Sequence, residues 1–228
     1  MKNQVLIIGS GKSESIKLEF EQIVFASNSS IYRLDKNFDT NIIHVASTNI
    51  LDSNLIKEEK SQHLKLRRNS LIDRKPKELI IYPNFKNPEI LKYNFKELNY
   101  CPKKISYVSK KQFWSYIVNE VGFTTIKYSL TKDKGVVYNF LRLIKHIIGY
   151  SINPIFLPST GIFALLIAIS RYKKNVEYVL NGVGLLNDQG TRTFYYEKLK
   201  MTSNTEIVHT DNIILKILKQ KYKINIID

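Results

Sequence analysis

Apolar residues occur in this chain as short blocks separated by longer polar stretches. Six blocks of four to six residues are apolar at most positions rather than at alternate ones. Strands inside a parallel sheet, covered on both faces, have this pattern, whereas strands with one wet face alternate. We therefore predict buried strands at residues 5–8, 31–34, 41–46, 79–82, 176–180 and 224–227.

Between these blocks the apolar spacing becomes that of helices. Apolar side chains recur three or four positions apart within residues 136–150, which predicts an amphipathic helix. Further helices are predicted at 113–118, from the turn at 158–161 to about residue 171, and at 213–222. Strands that alternate with helices predict an α/β fold: a single Rossmann-like, mostly parallel sheet flanked by helices, in one domain covering residues 1–228.

Charge and cysteine usage narrow the surroundings in which the protein works. Its 228 residues carry 35 Lys and Arg against 20 Asp and Glu, a formal net charge of +15. This balance favours an acidic partner: a nucleotide, a nucleic acid or an anionic membrane surface. Cys101 is the only cysteine, so no intrachain disulfide forms and a reducing compartment is expected. The longest apolar stretch, residues 155–169, contains Pro158 and Gly161 and is too short to span a bilayer.

A glycine turn follows the first predicted strand. Residues 9–13 read Gly-Ser-Gly-Lys-Ser. A P-loop would need a glycine where Leu6 stands, and the dinucleotide-binding fingerprint would need one where Glu14 stands. The turn therefore suits a phosphate or a ribose only in a general way, and a simple tight turn is the alternative.

A second turn places two hydroxyls at the start of a strongly apolar helix. Pro158 and Gly161 bracket Ser159 and Thr160, and the next eight residues are apolar. The N–H groups of a helix N-terminus favour an anion. Ligands of open parallel sheets bind beyond the carboxyl ends of the strands. We therefore expect this turn, the turn at 9–13 and the segment after Leu180 to converge on one anionic, nucleotide-like ligand.

Two tyrosines and a histidine near the C-terminus indicate acid–base chemistry. Tyr195 and Tyr196 precede His209, which is predicted to open the last helix. A phenol can donate a hydrogen bond to a departing phosphate, and a histidine can accept a proton from an attacking hydroxyl. Core tyrosines and a capping or surface histidine are the alternative. No Asp-x-Asp motif or His/Cys cluster occurs, so no metal is expected. The histidines without such a context, expected to be structural, are His44, His63 and His146.

The order of these motifs resembles the sialyltransferase families, both the animal type with its sialylmotifs and the related bacterial lipooligosaccharide type. Residues 158–161 match the Pro-Ser-Thr-Gly of the animal small motif, and residues 194–197 match its His-Tyr-Tyr-Glu motif except at Phe194. His209 matches the histidine of the last motif, with Ile214 in place of its Glu. Residues 9–13 match the bacterial Gly-Asn-Gly-x-Ser turn, with Ser10 in place of Asn.

The resemblance also implies individual roles. The strand after the first turn carries a donor-binding Asn in the bacterial type; that strand is predicted here at 31–34 and leads to Asp35. His209 would be the general base, and Tyr195 and Tyr196 would hold the departing phosphate. Gly184 stands where the bacterial enzymes have an acidic residue. The donor-binding residues implied are Gly9, Ser10, Gly11, Ser13, Asp35, Ser47, Ser159, Thr160, Gly161, Asn181 and Gly182.

By this resemblance the chain is expected to be an inverting, metal-independent glycosyltransferase with a GT-A-like sialyltransferase fold. It would move a sialic-acid-type sugar from a CMP-sugar substrate, with no further cofactor, to a hydroxyl of a glycan or glycolipid acceptor. Residues 84–150 would form an acceptor-side or lid insertion. The departures from the motifs leave open another CMP-sugar, such as a Kdo donor, or a member without activity.

Two expectations about surroundings follow. A cytoplasmic enzyme is expected, either in peripheral contact with the anionic inner membrane face or strictly soluble, and without a nucleic-acid partner. The alternative is a non-catalytic nucleotide- or nucleic-acid-binding α/β module that uses the same basic surface and the tyrosines as stacking groups.

Overall fold

A computed structural model of the chain describes the sheet, the helices packed on it and parts of their connections. The described residues are 3–9, 11, 22–34, 41–47, 73–74, 76–82, 96, 102–122, 137, 141, 144, 158–183, 191–193, 200–202 and 205–227. All structural statements below concern these residues.

Nine strands lie in the described parts of the chain. In chain order they are β1 (Gln4–Ile8), β2 (Ile23–Ser27), β3 (Asn41–Ser47), β4 (Glu78–Tyr82), β5 (Ile105–Tyr107), β6 (Glu177–Asn181), β7 (Thr191–Thr193), β8 (Lys200–Thr202) and β9 (Ile224–Ile227). Seven of them form one sheet in the order β5-β4-β3-β2-β1-β6-β9, and every neighbouring pair is parallel. The strands β7 and β8 form a two-stranded antiparallel ladder.

The helical elements are a 3-10 helix (Asn28–Arg33), α1 (Lys110–Val121), α2 (Thr160–Tyr172) and α3 (Thr205–Lys221). The helix α2 packs over β1, β2 and β3 and contacts α1 and α3. Ten consecutive residues of α2 are buried, which explains why its sequence is apolar on all sides rather than on one face. The predicted α/β fold, a single Rossmann-like parallel sheet flanked by helices, is thereby confirmed.

Five of the six predicted strands are confirmed as β1, β3, β4, β6 and β9. The predicted helices at 113–118 and after the turn at 158–161 are confirmed as parts of α1 and α2. The strands β2, β5, β7 and β8 were not predicted. The predicted helix at 136–150 lies almost wholly outside the described residues.

The predicted strand at 31–34 is wrong. Those residues end the 3-10 helix, and the strand that pairs with β1 is β2, seven or eight residues earlier. The hydroxyls of Ser27 and Ser30 both donate to the Ile8 carbonyl, at 3.0 and 2.7 Å, and so replace ladder hydrogen bonds with a turn. Ile31 and Leu34, three residues apart, are buried on one side, as 3-10 geometry requires.

The start of the last helix is also corrected. The apolar spacing predicted a helix at 213–222 opened by His209, but α3 begins at Thr205. His209 is therefore the fifth residue of α3. Ile214, which stands where the resemblance expects Glu, is fully buried in the core.

Two buried carboxylates connect the amino edge of the sheet and the ends of the helices through hydrogen bonds. Glu78 is the first residue of β4. Its carboxylate accepts hydrogen bonds from both terminal nitrogens of Arg171, at the end of α2, at 2.9 and 3.0 Å. Burial alone would raise the pKa of Glu78, but hydrogen bonds from Arg171 and Ser106 and the charge of Arg171 lower it to about 2. Glu120, near the end of α1, accepts from Lys173 and Tyr222 and so joins the ends of all three helices.

Part of the stretch 84–150 belongs to this framework. Its residues 105–107 form the edge strand β5, and α1 packs against α2 through the ring of Phe113, which lies 4.9 Å from that of Phe163. The acceptor-side or lid role of the stretch stays a prediction.

Candidate ligand site at the carboxyl edge of the sheet

The order in which strands are added to the sheet reverses at β1. From β1 the chain proceeds outward through β2, β3, β4 and β5, and it then returns to place β6 on the other side of β1. Such a switch point separates the loops that follow the two central strands, and ligands of doubly wound folds bind there. The residues after β1 and β6 therefore define the place to look for a site.

Both predicted glycine segments meet at this point. The Gly9 N–H donates to the Asn181 carbonyl at 2.8 Å, and the Gly11 N–H donates to the Gly182 carbonyl at 2.6 Å. A Cβ added at Gly9 would lie 2.1 Å from the Gly182 oxygen, and Gly182 itself has φ +60°. Four predicted donor-binding residues are thus brought together, and the absence of side chains is what permits the contact.

An arginine that the sequence did not single out bridges the two turns. One terminal nitrogen of Arg33, Nη1, donates to the Gly9 carbonyl at 3.2 Å, and the other, Nη2, donates to the Asn181 side-chain oxygen at 2.7 Å. A Cβ on Gly182 would lie 2.5 Å from Nη1, so the guanidinium occupies the space that this glycine leaves open. Arg33 is partly buried, and it connects the turn after β1 with the turn after β6.

Asn28 starts the same 3-10 helix and reaches the start of α2. It adopts a left-handed backbone, φ +49°, and its side-chain amide donates to the Thr160 hydroxyl at 2.8 Å. The Tyr82 hydroxyl, at the end of β4, lies 3.0 Å from the same oxygen. The ends of β2 and β4 and the start of α2 thus converge on one polar cluster.

The Asn28 carbonyl is held from within the sheet. His44 of β3 is fully buried and its Nε2 lies 2.7 Å from that carbonyl. Burial lowers the pKa of His44 to about 4, against a smaller upward effect of this hydrogen bond, so the ring is neutral at pH 7 and Nε2 carries the proton. Among the described residues nothing hydrogen-bonds to its Nδ1.

The N-terminus of α2 is occupied by internal groups. Ser159 is the N-cap, and its side chain accepts from the Ile162 N–H at 3.4 Å. The Ser159 N–H donates to the fully buried carboxylate of Asp211 in α3, at 2.8 Å. An anion therefore already sits at this helix start, and it comes from the chain itself. Gly161 is buried, and a Cβ there would meet the Val183 side chain at 2.9 Å.

Burial also sets the state of Tyr82. It raises the pKa of Tyr82, the hydrogen bond with Thr160 opposes this by less, and the Asp211 charge adds to the increase. The phenol is therefore protonated at neutral pH and serves as a hydrogen-bond donor or acceptor without charge.

The remaining predicted residues are described only in part. Ser47 ends β3 at the same edge, and His209 lies on α3, but only their backbone is described. The predicted residues outside the described parts of the chain are Ser10, Ser13, Asp35, Tyr195 and Tyr196.

Sequence reasoning missed four residues that shape this edge: Asn28, Arg33, Tyr82 and Asp211. The first two escaped because strand β2 was not recognised, although its block Ile-Val-Phe-Ala-Ser followed by Asn-Ser-Ser marks a buried strand and a turn. Asp211 gave a weaker signal: a carboxylate three residues before Ile214 on the apolar stripe of α3.

Two further properties bear on the site. Within the described parts of the chain, no group of three or more His, Cys, Asp or Glu residues is arranged to hold a metal ion. Likewise, no described helix is both long and apolar enough to cross a membrane. Comparison with protein-family models, with curated proteins and with solved structures finds no match. The functional assignment therefore depends on the residues and their geometry.

Proposed function

We propose that this chain is an inverting glycosyltransferase that moves a sialic-acid-type sugar from a CMP-sugar donor to a hydroxyl of a glycan acceptor. The observation that carries the proposal is the meeting, at one switch point, of the Gly9–Gly11 turn, the Asn181–Gly182 turn and the Pro-Ser-Thr-Gly start of α2. These three segments are among those that the resemblance assigns to the donor.

The corrected position of β2 adds support. The resemblance expects a donor-binding Asn on the strand after the first glycine turn, and the predicted strand at 31–34 offered only Asp35 there. The strand after that turn is β2, and the residue directly after it is Asn28. Its amide already contacts Thr160, the central residue of the other donor-binding motif. The departure at Asp35 therefore no longer counts against the proposal.

The side chains at this edge suit a nucleoside monophosphate. Amide and hydroxyl groups of Asn28, Thr160 and Tyr82 form short polar contacts in a largely dry setting, where hydrogen bonds to ribose or base discriminate strongly. Because Asp211 already occupies the Ser159 N–H, the proposal assigns ligand contacts to side chains here rather than to the N-terminal amides of α2.

The reaction would be a single displacement. The acceptor hydroxyl oxygen forms a bond to the anomeric carbon while the bond from that carbon to the CMP phosphate oxygen breaks. His209 would take the hydroxyl proton, and Tyr195 and Tyr196 would donate hydrogen bonds to the departing phosphate. These three roles rest on the resemblance alone.

Nucleotide-dependent thermal unfolding tests the donor class. A ligand that binds only the folded chain stabilises it by about 2.7 kcal/mol at a hundredfold excess over Kd, about 5–10 °C in Tm for a chain of this size. We expect CMP to give such a shift, unaffected by EDTA, and CDP, UDP, GDP, ADP and NAD to give smaller ones.

Two variants locate the binding. Asn28→Gly keeps the left-handed backbone but removes the amide, and a tenfold weaker affinity would halve the shift at the same CMP concentration. Asn119→Ala, on the exposed side of α1, is the matched control and should keep the full shift. Absence of any CMP response, with stabilisation by short DNA that falls steeply with salt, would instead favour the nucleic-acid-binding alternative.

A further inference from the structure

The strand β5 lies at one edge of the large sheet, and within the described parts of the chain only one of its sides is paired. On the side that faces β4, the Lys104 carbonyl accepts a hydrogen bond at 2.8 Å and the Val108 N–H donates one at 2.9 Å. Because main-chain groups of successive residues in a strand point to opposite sides, the N–H and C=O groups of Ile105 and Tyr107 point away from β4. These are the groups with which a further strand would pair.

Two apolar side chains of β5 are exposed on one face of the sheet. Ile105 is 36% exposed and Tyr107 is 44% exposed. Ser106 lies between them and projects to the opposite face, where its hydroxyl donates to the Glu78 carboxylate at 2.8 Å. A strand added beside β5 would therefore gain apolar contacts with Ile105 and Tyr107 as well as main-chain hydrogen bonds.

Lysines flank this edge of the sheet. Lys103 and Lys104 directly precede β5, Lys111 follows it in the first turn of α1, and all three are exposed. The nearby carboxylate of Glu78 is buried and accepts from Arg171, so its charge is already matched. The described residues around β5 therefore present positive charge to the solvent.

The sequence that leads into this edge is basic as well. Residues 48–77, before β4, contain eight Lys and Arg and four Asp and Glu, and residues 83–111 contain seven Lys and two Glu. The total charge around β5 is therefore positive whatever course these segments take. Lysines at a sheet edge oppose pairing with a second copy of the same basic chain, whereas they attract a strand that carries carboxylates.

We propose that β5 is a docking edge for an extended, acidic peptide segment of a partner protein. The segment pairs with the outward N–H and C=O groups of Ile105 and Tyr107, its apolar side chains cover these two residues, and its carboxylates contact the lysines. A nucleic acid would be attracted by the same charge but has no main-chain N–H and C=O groups at the repeat of a strand. The proposal does not depend on the proposed function, because β5 lies four strands away from β1.

Fluorescence anisotropy with two labelled peptides tests the main-chain pairing. The first is a peptide of about ten residues that alternates Glu and Val, and the second is the same peptide methylated on every backbone nitrogen. The full chain should bind the first peptide about tenfold or more tightly than the second, because methylation removes the donors that several ladder hydrogen bonds need. Binding of the first peptide should also weaken as salt is raised.

Two pairs of variants locate the binding. Tyr107→Pro removes an outward N–H and no hydrogen bond to β4, whereas Tyr107→Thr removes the ring and keeps the N–H. The proline variant should lose about tenfold in affinity for the first peptide and the threonine variant clearly less. The double variant Lys103→Glu/Lys111→Glu should also lose about tenfold. Its control is Lys216→Glu/Lys219→Glu, which makes the same change of charge at exposed positions of α3 and should stay within about twofold.

Several results would overturn the proposal. Absence of binding does so, and so does equal affinity for the two peptides, because charge without main-chain pairing would then explain the binding. Full binding by Tyr107→Pro has the same meaning. Single-stranded DNA of about ten nucleotides that binds more tightly than the first peptide, and is unaffected by Tyr107→Pro, would identify a nucleic-acid surface instead. Should Tyr107→Pro not fold, the comparison of the two peptides on the wild type decides. The response to CMP should be the same in all folded variants, so these results leave the proposed function standing.

Discussion

Four glycines near the switch point are constrained by two different kinds of neighbour. Beta carbons added at Gly9, Gly11 or Gly182 would lie 2.1 to 2.7 Å from backbone oxygens, which cannot move without shifting a strand end. A beta carbon at Gly161 would instead meet the side chain of Val183. The first three close the contact between the turns, and the fourth lets α2 pack closely against Val183, two residues after β6.

This difference predicts which glycine substitution can be rescued. Gly161→Ala should cost about 1–3 kcal/mol of unfolding free energy because of overpacking against Val183, and Gly9→Ala should cost roughly 3 kcal/mol or more because of the backbone clash. Adding Val183→Ala should recover at least half of the loss in Gly161→Ala and none in Gly9→Ala. Urea unfolding of the single and double variants measures both coupling energies. Equal coupling in the two pairs would contradict the assignment of the clashes.

At the scale of elements, the two most informative corrections concern where a helix begins and where a strand lies. The helix α3 begins at Thr205, so the buried residues Asp211, Ile214, Leu215 and Leu218 form one stripe along it. Asp211 therefore belongs to the side of α3 that packs on α2.

Separable effects are expected for two polar residues of α3, the proposed base His209 and the buried Asp211. His209→Ala should lower transfer by roughly 10²- to 10⁴-fold and leave CMP binding nearly unchanged, because a general base acts in the transition state. Asp211→Asn should instead lower Tm and weaken CMP binding, because it perturbs the start of α2. The turnover rate with a CMP-sugar and the affinity for CMP, measured in both variants and in the wild type, distinguish the two effects. Full activity of His209→Ala would remove this residue from the mechanism.

At the scale of the whole molecule, two buried groups give the stability of the fold its pH dependence. The folded pKa of His44 is about 4 and its usual value is 6.5, so the unfolded chain takes up that proton first and stability falls as pH drops from about 6.5 to 4. The folded pKa of Glu78 is about 2 and its usual value is 4.5, so its contribution is lost from about pH 4.5 to 2.

Across each pH window the free energy of unfolding should fall by about 3 kcal/mol, at roughly 1.4 kcal/mol per unit of pKa difference between the folded and unfolded chain. His44→Gln keeps a donor for the Asn28 carbonyl but does not titrate, so it should flatten the upper window only. Glu78→Gln should flatten the lower window only. Urea unfolding from pH 7 to 2.5 measures the difference between each variant and the wild type. An unchanged slope between pH 6.5 and 4.5 in His44→Gln would contradict the burial of a neutral imidazole.

The arrangement of the sheet also explains why the site could be predicted only in part. Gly9, Asn181 and Gly182 were identified because glycine turns after apolar blocks are visible locally. Arg33 and Asn28 were not, because their partners lie 24 to 148 residues away in the chain and contact them only once β6 and α2 are in place.

Five strands of the large sheet, the two glycine turns and the start of α2 were determined by the sequence itself, since a buried parallel strand is a local apolar run and a glycine or an N-cap serine acts within a few residues. Only the tertiary structure decided that β1 lies between β2 and β6, that residues 28–33 turn rather than extend, and that Asp211 occupies the start of α2. These features depend on contacts between distant segments: hydroxyls that reach the Ile8 carbonyl, a guanidinium that fits over Gly182, and a carboxylate buried against another helix. Pairing energies of this kind exist only after the chain has folded, so no local pattern reports them.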